Sequence, residues 1–197
     1  MSLHIRGLRK CYGARRALEI ASLDVAAGSV ALVTGANGAG KSTLLRCVAG
    51  VVAHDGAVDR PHGAVAYLPQ GDVLPPTATV GEVLRLFGTP PAMARDWSHG
   101  DPARRIGRLS GGERQRVALA VVLSLPAALF VLDEPFADLD ANGAGALALR
   151  IAALRAGGAT VLIAAPDREV ARARGIADAV VTLDGGRVAG SAETSAA

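Results

Sequence analysis

One segment constrains the fold of this chain more than any other. Residues 35–42, GANGAGKS, fit the pattern G-x-x-x-x-G-K-[ST] and lie between an apolar run, SVALVT, and a helix-like run, KSTLLRCVAG. A glycine-rich turn from a strand into a helix points backbone N–H groups inward, and the helix N-terminus adds partial positive charge. The segment therefore predicts a strand, a phosphate-binding loop and a helix, in that order.

The residue types in this loop suit a nucleoside triphosphate. The Lys41 ammonium is expected to reach the β- and γ-phosphates, and the Ser42 hydroxyl is expected to bind Mg²⁺. ATP and Mg²⁺ are therefore the expected ligands. The nucleotide contacts are assigned to Gly35, Ala36, Asn37, Gly38, Ala39, Gly40, Lys41, Ser42 and Thr43.

The pattern along the chain predicts an α/β fold with a mainly parallel central sheet and an N-terminal antiparallel β layer. Three short β-rich runs fill the first 34 residues. Helices are predicted at 41–50, 112–125, 144–156 and 168–174, and strands at 129–132, 160–163 and 179–183. Alternating strands and helices favour a parallel sheet covered on both faces. Residues 90–101 are irregular, with two adjacent prolines, and predict a subdomain edge.

These elements predict one domain over residues 1–197. The length favours one core with a small subdomain, and residues 191–197 are expected to form a loose tail.

Composition excludes several classes of protein. Half of the residues are hydrophobic and 20% are charged, which indicates a globular chain. The net charge is +3, but the arginines are scattered rather than clustered among aromatic residues, so no nucleic acid partner is expected. There are two cysteines and no C-x-x-C, which fits a reducing cytoplasm. The N-terminus lacks a signal-peptide pattern, and the longest apolar run, 117–132, contains Pro126 and is too short to span a bilayer.

Two carboxylates follow the apolar run FVL. Asp133 is expected to hold Mg²⁺, and Glu134 is expected to act as general base on the water that attacks the γ-phosphate. An acidic pair after a strand is often only the start of a solvated loop. The phosphate loop in the same chain favours the catalytic interpretation.

The segment LSGGERQRVALA, from Leu109, predicts a second anion site. Ser110, Gly111 and Gly112 place a hydroxyl and exposed N–H groups at the start of an apolar helix. A simple helix cap is the alternative explanation. Because the chain already has a phosphate loop, two anion sites suggest two chains that share ATP.

The phosphate loop, LSGGERQR and FVLDEP, in this order and spacing, resemble the ABC ATPase family over nearly the whole chain. The resemblance implies a P-loop NTPase that hydrolyses ATP in a head-to-tail dimer with a second ABC ATPase subunit. Ser110 and Gly112 would then touch the partner's γ-phosphate. It also implies a transmembrane permease as partner, and a cytoplasmic protein held peripherally on the inner face of the cell membrane.

Three further site residues come from this resemblance. Tyr12 matches the aromatic residue that stacks on adenine, although a half-buried tyrosine at a strand end is the alternative. Gln70 in YLPQ matches the glutamine that approaches Mg²⁺, and Asp140 in ADLD matches the aspartate whose loop crosses to the opposite subunit. Alone, each of these two would be interpreted as a polar loop residue.

One position departs from the family pattern. VLIAAPDRE has Pro166 where the family has a histidine that contacts the γ-phosphate, and no histidine follows His99. Proline has neither an imidazole nor a backbone N–H. Intact ATP binding with slow hydrolysis is therefore expected, unless a partner supplies the competent site.

The resemblance also implies that residues 1–71 and 109–190 form the core and the β layer, and that residues 72–108 form a helical subdomain. With 29 positions from Lys41 to Gln70 and 40 from Gln70 to Ser110, the chain is compact for this family, so both the β layer and the helical subdomain are expected to be reduced. Together with LDEPFADLD, this is similar to small exporter cassettes such as the haem-exporter ATPase. A soluble ABC ATPase without a transport role and an ATP-sensing subunit with weak hydrolysis remain the alternative functions.

Overall fold

The computed structural model describes residues 2–71, 73–98, 100–166, 173 and 175–193. Within them lie nine strands: β1 (Leu3–Tyr12), β2 (Arg15–Val25), β3 (Val30–Thr34), β4 (Asp55–Asp59), β5 (Val65–Leu68), β6 (Leu129–Asp133), β7 (Thr160–Ala164), β8 (Ala179–Asp184) and β9 (Arg187–Glu193). The same residues contain five α-helices: α1 (Lys41–Ala49), α2 (Val80–Leu86), α3 (Pro91–Ser98), α4 (Gly111–Val122) and α5 (Ala141–Ala156).

The central sheet has the order β5-β6-β7-β3-β8-β9. All neighbours are parallel except β8 and β9, which form an antiparallel hairpin. Every residue of β3, β6 and β7 is buried, because helices or the β layer cover both faces of the sheet. The mainly parallel sheet predicted from the sequence is thus confirmed. The carboxyl ends of β3, β6 and β7 meet at one edge, where ligands bind in open α/β sheets.

The antiparallel β layer has the order β2-β1-β4. Its β1 and β2 form a hairpin across Gly13 and Ala14, so that Tyr12 pairs directly with Arg15. Leu8 and Leu18 of this hairpin are fully buried in a cluster that also contains Leu44 of α1. This packing fixes the hairpin tip beside the helix that follows the phosphate loop.

A smaller helical region contains α2, α3 and the start of α4. The expectation of an irregular edge over residues 90–101 was wrong, because α3 is a helix that begins with Pro91. Proline is well tolerated in the first helical turn, since its missing N–H would have no partner there. Trp97 is 5% exposed and packs into the core, so this helix anchors the region.

At the C-terminus, the structure differs from the prediction by only a few residues. β9 continues to Glu193, which pairs with Ala179, so the first three residues of the predicted tail belong to a strand. Most of the helix predicted over 168–174, together with Asp72 and residues 194–197, lies outside the described residues. No α-helix in the described part of the chain has the length and apolar character needed to cross a bilayer.

Candidate functional site

The phosphate loop owes its shape to glycine. Gly35 has a φ of 134°, and a Cβ at this position would lie 2.2 Å from the carbonyl oxygen of Leu183. Gly40, with a φ of 105°, precedes the first residue of α1. At Gly35 the backbone leaves no room for a side chain. The positive φ of both Gly35 and Gly40 is also a conformation that residues other than glycine rarely adopt. The loop therefore presents its backbone to the site.

Lys41 lies under this loop and is only 7% exposed. Its ammonium donates hydrogen bonds to the carbonyl oxygens of Gly35, at 2.5 Å, and Ala36, at 3.1 Å. A buried charge needs such partners, because desolvation penalises an unpaired ammonium. The loop carbonyls thus hold the cation in place beside the cavity that it lines.

A cavity of about 670 Å³ opens over the loop. Nine of the residues predicted from the sequence line it: Tyr12, Asn37, Gly38, Gly40, Lys41, Ser42, Thr43, Gln70 and Glu134. Gly35, Ala36 and Ala39 lie behind this lining, where Ala36 and Ala39 close the turn through a backbone hydrogen bond of 3.0 Å. The cavity brings the predicted base, phosphate and catalytic residues around one space.

Four lining residues were not predicted. Arg15, Arg16 and Ala17 come from the start of β2, and Gly185 comes from the β8–β9 turn. The signal that could have found Arg15 is the short hairpin, because a residue paired with Tyr12 faces the same side of the sheet. Arg16 pairs with Cys11, so this signal does not extend to it. Arg16 is held by Glu19 at 2.9 Å.

Asp133 ends β6 next to the first turn of α1. The Ser42 hydroxyl donates a 3.2 Å hydrogen bond to its Oδ1, while its Oδ2 is buried and has no hydrogen-bond partner. Burial raises the pKa of the Asp133 carboxyl, the hydrogen bond from Ser42 opposes that shift, and the charge of Glu134 adds to it.

These two oxygen donors fit Mg²⁺. A hydroxyl and a carboxylate are hard ligands, and Mg²⁺ is commonly held by one or two carboxylates together with substrate phosphates and water. The orphaned Oδ2 of Asp133 is the atom that a cation would satisfy. Gln70, the third predicted metal ligand, lines the larger cavity together with Ser42 and a smaller, neighbouring one together with Asp133.

Glu134 follows directly and has a φ of 50°, which is uncommon for a residue other than glycine. Its backbone N–H donates to the carbonyl oxygen of Ala164 at 2.9 Å, which stabilises this conformation. Strained residues of this kind cluster at functional sites. The buried Pro166 lines the same cavity as Glu134.

A second cavity, of about 370 Å³, shares Gln70 and Glu134 with the first. Its lining includes Asp133 and Gly111. Neither Ser110 nor the two glycines after it belong to the described lining of the larger cavity. The LSGG segment therefore borders the smaller cavity and does not line the larger one over the phosphate loop.

Ser110 is the N-cap of α4 and forms a capping box with Glu113. Its Oγ accepts from the backbone N–H of Glu113, and its own backbone N–H donates to the Glu113 carboxylate at 2.7 Å. Arg104 pairs with that carboxylate at 2.6 Å. The hydrogen bond from the Ser110 backbone, followed by the Arg104 contact, lowers the pKa of Glu113 to about 2. An anion at this helix start would compete with the Glu113 carboxylate for the Ser110 hydroxyl, because that hydroxyl also interacts with the carboxylate.

Asp138 and Asp140, which lie before α5, make contacts inside the chain close to the start of α4. Asp140 is the N-cap of α5, where it accepts from the Gly143 backbone N–H at 2.7 Å and pairs with Arg116 at 2.6 Å. A Cβ on Gly112 would lie 2.6 Å from the carbonyl oxygen of Asp138. The loop before α5 therefore packs directly against the LSGG segment.

Comparison with known proteins agrees with this arrangement. The family model described as ABC transporter matches residues 18–137. The hemin import ATP-binding protein HmuV of Streptomyces coelicolor is 38% identical over 213 residues, which cover 93% of this chain and 75% of that protein.

Solved structures share the fold. An ATP-binding subunit of an ABC transporter superposes with a TM-score of 0.88 at 26% identity, covering 98% of this chain and 90% of that one. A dimeric ATP-binding cassette in a post-hydrolysis state, with ADP and phosphate bound, gives a TM-score of 0.83 at 21% identity, covering 97% and 98%. With the family model covering most of the chain, these matches establish that it belongs to the ABC transporter family, as an ATP-binding subunit.

Proposed function

We propose that this chain binds MgATP in the larger cavity, pairs head to tail with a second ABC ATPase subunit, and couples ATP binding and slow hydrolysis to transport by a membrane permease. One observation carries the proposal. Lys41, Ser42 and Glu134 surround one cavity, whereas the LSGG segment lies outside it. A partner chain is therefore needed to bring the second anion site to the nucleotide.

Different residues are proposed to bind the adenine, the phosphates and Mg²⁺. The adenine stacks on Tyr12, whose ring is 45% exposed and lines the cavity. The phosphates receive hydrogen bonds from the loop N–H groups and from Lys41, which exchanges its carbonyl partners for phosphate oxygens. Ser42, Asp133 and Gln70 would hold Mg²⁺, which supplies charge neutralisation at the phosphates.

Glu134 is the general base in this proposal. Its carboxylate lines both cavities and would accept a proton from the water that attacks the γ-phosphate. Pro166 lines the nucleotide cavity but has no donor to offer the γ-phosphate or the water. Hydrolysis is therefore slow relative to binding, because one of the positioning groups of the family is missing.

The second subunit completes the site with Ser110, Gly111 and Gly112. The glycine N–H groups at the start of α4 would donate to the γ-phosphate, and so would the Ser110 hydroxyl once it leaves the Glu113 carboxylate. A solved cassette of similar fold is dimeric with ADP and phosphate bound, which supports the formation of a dimer. Asp140, near the LSGG segment, would lie at the same interface. The subunit then acts in the cytoplasm, peripherally on the membrane through its permease.

Binding, turnover and dimer formation test the proposal. The wild type is expected to bind MgATP and to hydrolyse it slowly, and Glu134→Gln is expected to abolish the remaining turnover while ATP now yields a dimer in light scattering. Gln is the matched variant, because it keeps the size of the side chain and removes the base. Failure of Glu134→Gln to bind ATP, or turnover unchanged by it, would disprove the assignment.

Pro166 also supports a second candidate, an ATP-sensing subunit in which binding alone changes the dimer. The same experiment separates the two. A wild type that dimerises with ATP and shows no turnover sensitive to Glu134→Gln favours sensing. Slow turnover that this variant removes favours the transport subunit.

A further inference from the structure

The Tyr12 ring carries a cation on one of its faces. The Lys10 ammonium lies 4.9 Å from the ring centroid, within the range of a cation–π interaction. The two residues are two positions apart in β1, so their side chains leave the same face of the strand. The ammonium also donates a 2.7 Å hydrogen bond to the carbonyl oxygen of Ala53. Lys10 is thus fixed at both the ring and the backbone.

The contact of Lys10 with the Tyr12 ring, here the brace, involves a lysine that does not line the larger cavity. Tyr12 lines the larger cavity, and Lys10 is absent from its described lining. Ala53 lies in the segment between α1 and β4. Lys10 therefore connects the hairpin that carries Tyr12 to the far end of the helix whose first turn holds the phosphates.

We propose that Lys10 is a positioning residue for the adenine base. It covers one face of the Tyr12 ring and leaves the other face for the base, at a fixed distance from the phosphate loop. The inference rests on the proposed stacking of adenine on Tyr12. Without Lys10, the half-exposed Tyr12 would keep only its interaction with Arg46 of α1 and would sample more rotamers. Ordering the ring would then weaken nucleotide binding. Loss of an exposed cation–π contact is expected to lower ATP affinity about two- to fivefold.

Calorimetry on the full chain tests this with two ligands. Lys10→Met is expected to weaken ATP binding by that factor and to leave binding of magnesium tripolyphosphate, which has no base, unchanged. Lys10→Arg keeps a cation and a donor and is expected to restore ATP affinity. Arg9→Met is the control, because it removes the same charge from the next residue of β1, where the nearest carboxylate oxygen of Glu19 is 3.9 Å away.

A second readout reports the brace itself. Lys10 and Lys41 are the only lysines in the sequence, so lysine labelled with ¹³C gives two side-chain signals in NMR spectra. The Lys10 signal is expected to carry a ring-current shift that Tyr12→Leu removes. An equal loss of tripolyphosphate binding in Lys10→Met, or unchanged ATP binding, would overturn the inference. Unchanged ATP binding in Tyr12→Leu would instead overturn the proposed adenine site.

Discussion

Ser42 and Asp133 are joined by a 3.2 Å hydrogen bond that links the first turn of α1 to the end of β6. The other carboxylate oxygen, Oδ2 of Asp133, is buried without a hydrogen-bond partner. A buried carboxylate that is only half satisfied destabilises the folded chain. A cation bound to this oxygen would explain the arrangement, because the free energy of cation binding would offset the cost of burying the carboxylate.

Replacing Asp133 with Asn is expected to stabilise the ligand-free chain and to abolish its Mg²⁺-dependent stabilisation by ATP. A raised pKa in the folded state destabilises the wild type above the unfolded pKa, near 4, and this penalty disappears as the pH falls toward that value. The gain in melting temperature is therefore larger at pH 7 than near pH 4. At neutral pH it should reach about 2–4 °C for each kcal/mol recovered.

Ser42→Ala is the matched control in these melting experiments. It removes the hydrogen bond to Asp133 and leaves the charge, so it is expected to lower the melting temperature of the ligand-free chain. Both variants should lose the stabilisation by MgATP. A lower melting temperature for Asp133→Asn than for the wild type at pH 7 would contradict the prediction.

Pro166→His is expected to raise ATP turnover by about tenfold or more, with little change in ATP affinity. Pro166 already lines the nucleotide cavity beside Glu134, so an imidazole there would have the nucleotide within reach. Steady-state phosphate release measures the rate. Pro166→Ala removes the ring without adding a donor and should stay at the wild-type rate. Equal turnover in all three proteins would show that the histidine is dispensable in this chain.

The central fold was predictable because its signals are local. The phosphate loop and the buried strands combine apolar runs with glycine at fixed offsets, and α1 ends at Gly50 as the sequence predicts. The helix α3 was missed because Pro90 and Pro91 were interpreted as breakers. The core contacts of Trp97, which stabilise this helix, are long-range and have no local signal.

Most residues of the candidate site were also predictable from the sequence. Motifs predicted most of the residues that line the larger cavity, but Arg15 reaches it through strand pairing with Tyr12, and no motif pointed to Arg16. The contact of the LSGG segment with the Asp138 backbone also escaped prediction, since it depends on how two loops pack. Pairing and packing between distant segments are set by the whole fold rather than by any one motif.

Gly112→Ala is expected to lower the melting temperature and to abolish ATP-dependent dimer formation. Its Cβ would lie 2.6 Å from the Asp138 carbonyl oxygen, so the start of α4 or the loop before α5 must move. Gly145→Ala is the control, because it lies in α5 with open space around the added methyl. That change should raise stability by about 1 kcal/mol through helix propensity. A Gly112→Ala protein with normal stability and dimer formation would contradict the packing argument.

Arg104→Met is expected to weaken ATP-dependent dimer formation about two- to fivefold and to leave ATP binding by the single chain unchanged. Arg104 pairs with Glu113 at 2.6 Å, so its loss leaves a negative charge beside the segment that would receive the partner's γ-phosphate. The charge persists at neutral pH, because the pKa of Glu113 is about 2 with Arg104 present and the capping hydrogen bond from Ser110 is its largest cause.

Light scattering in the Glu134→Gln background measures this effect without consuming ATP. Adding Glu113→Gln to Arg104→Met is expected to restore dimer formation, because the amide oxygen still accepts the Ser110 N–H and the charge is gone. The defect of Arg104→Met should also fade at high ionic strength, since exposed charges are screened. If the double variant dimerises as poorly as Arg104→Met and salt has no effect, Arg104 supports the fold of the LSGG segment rather than its charge balance.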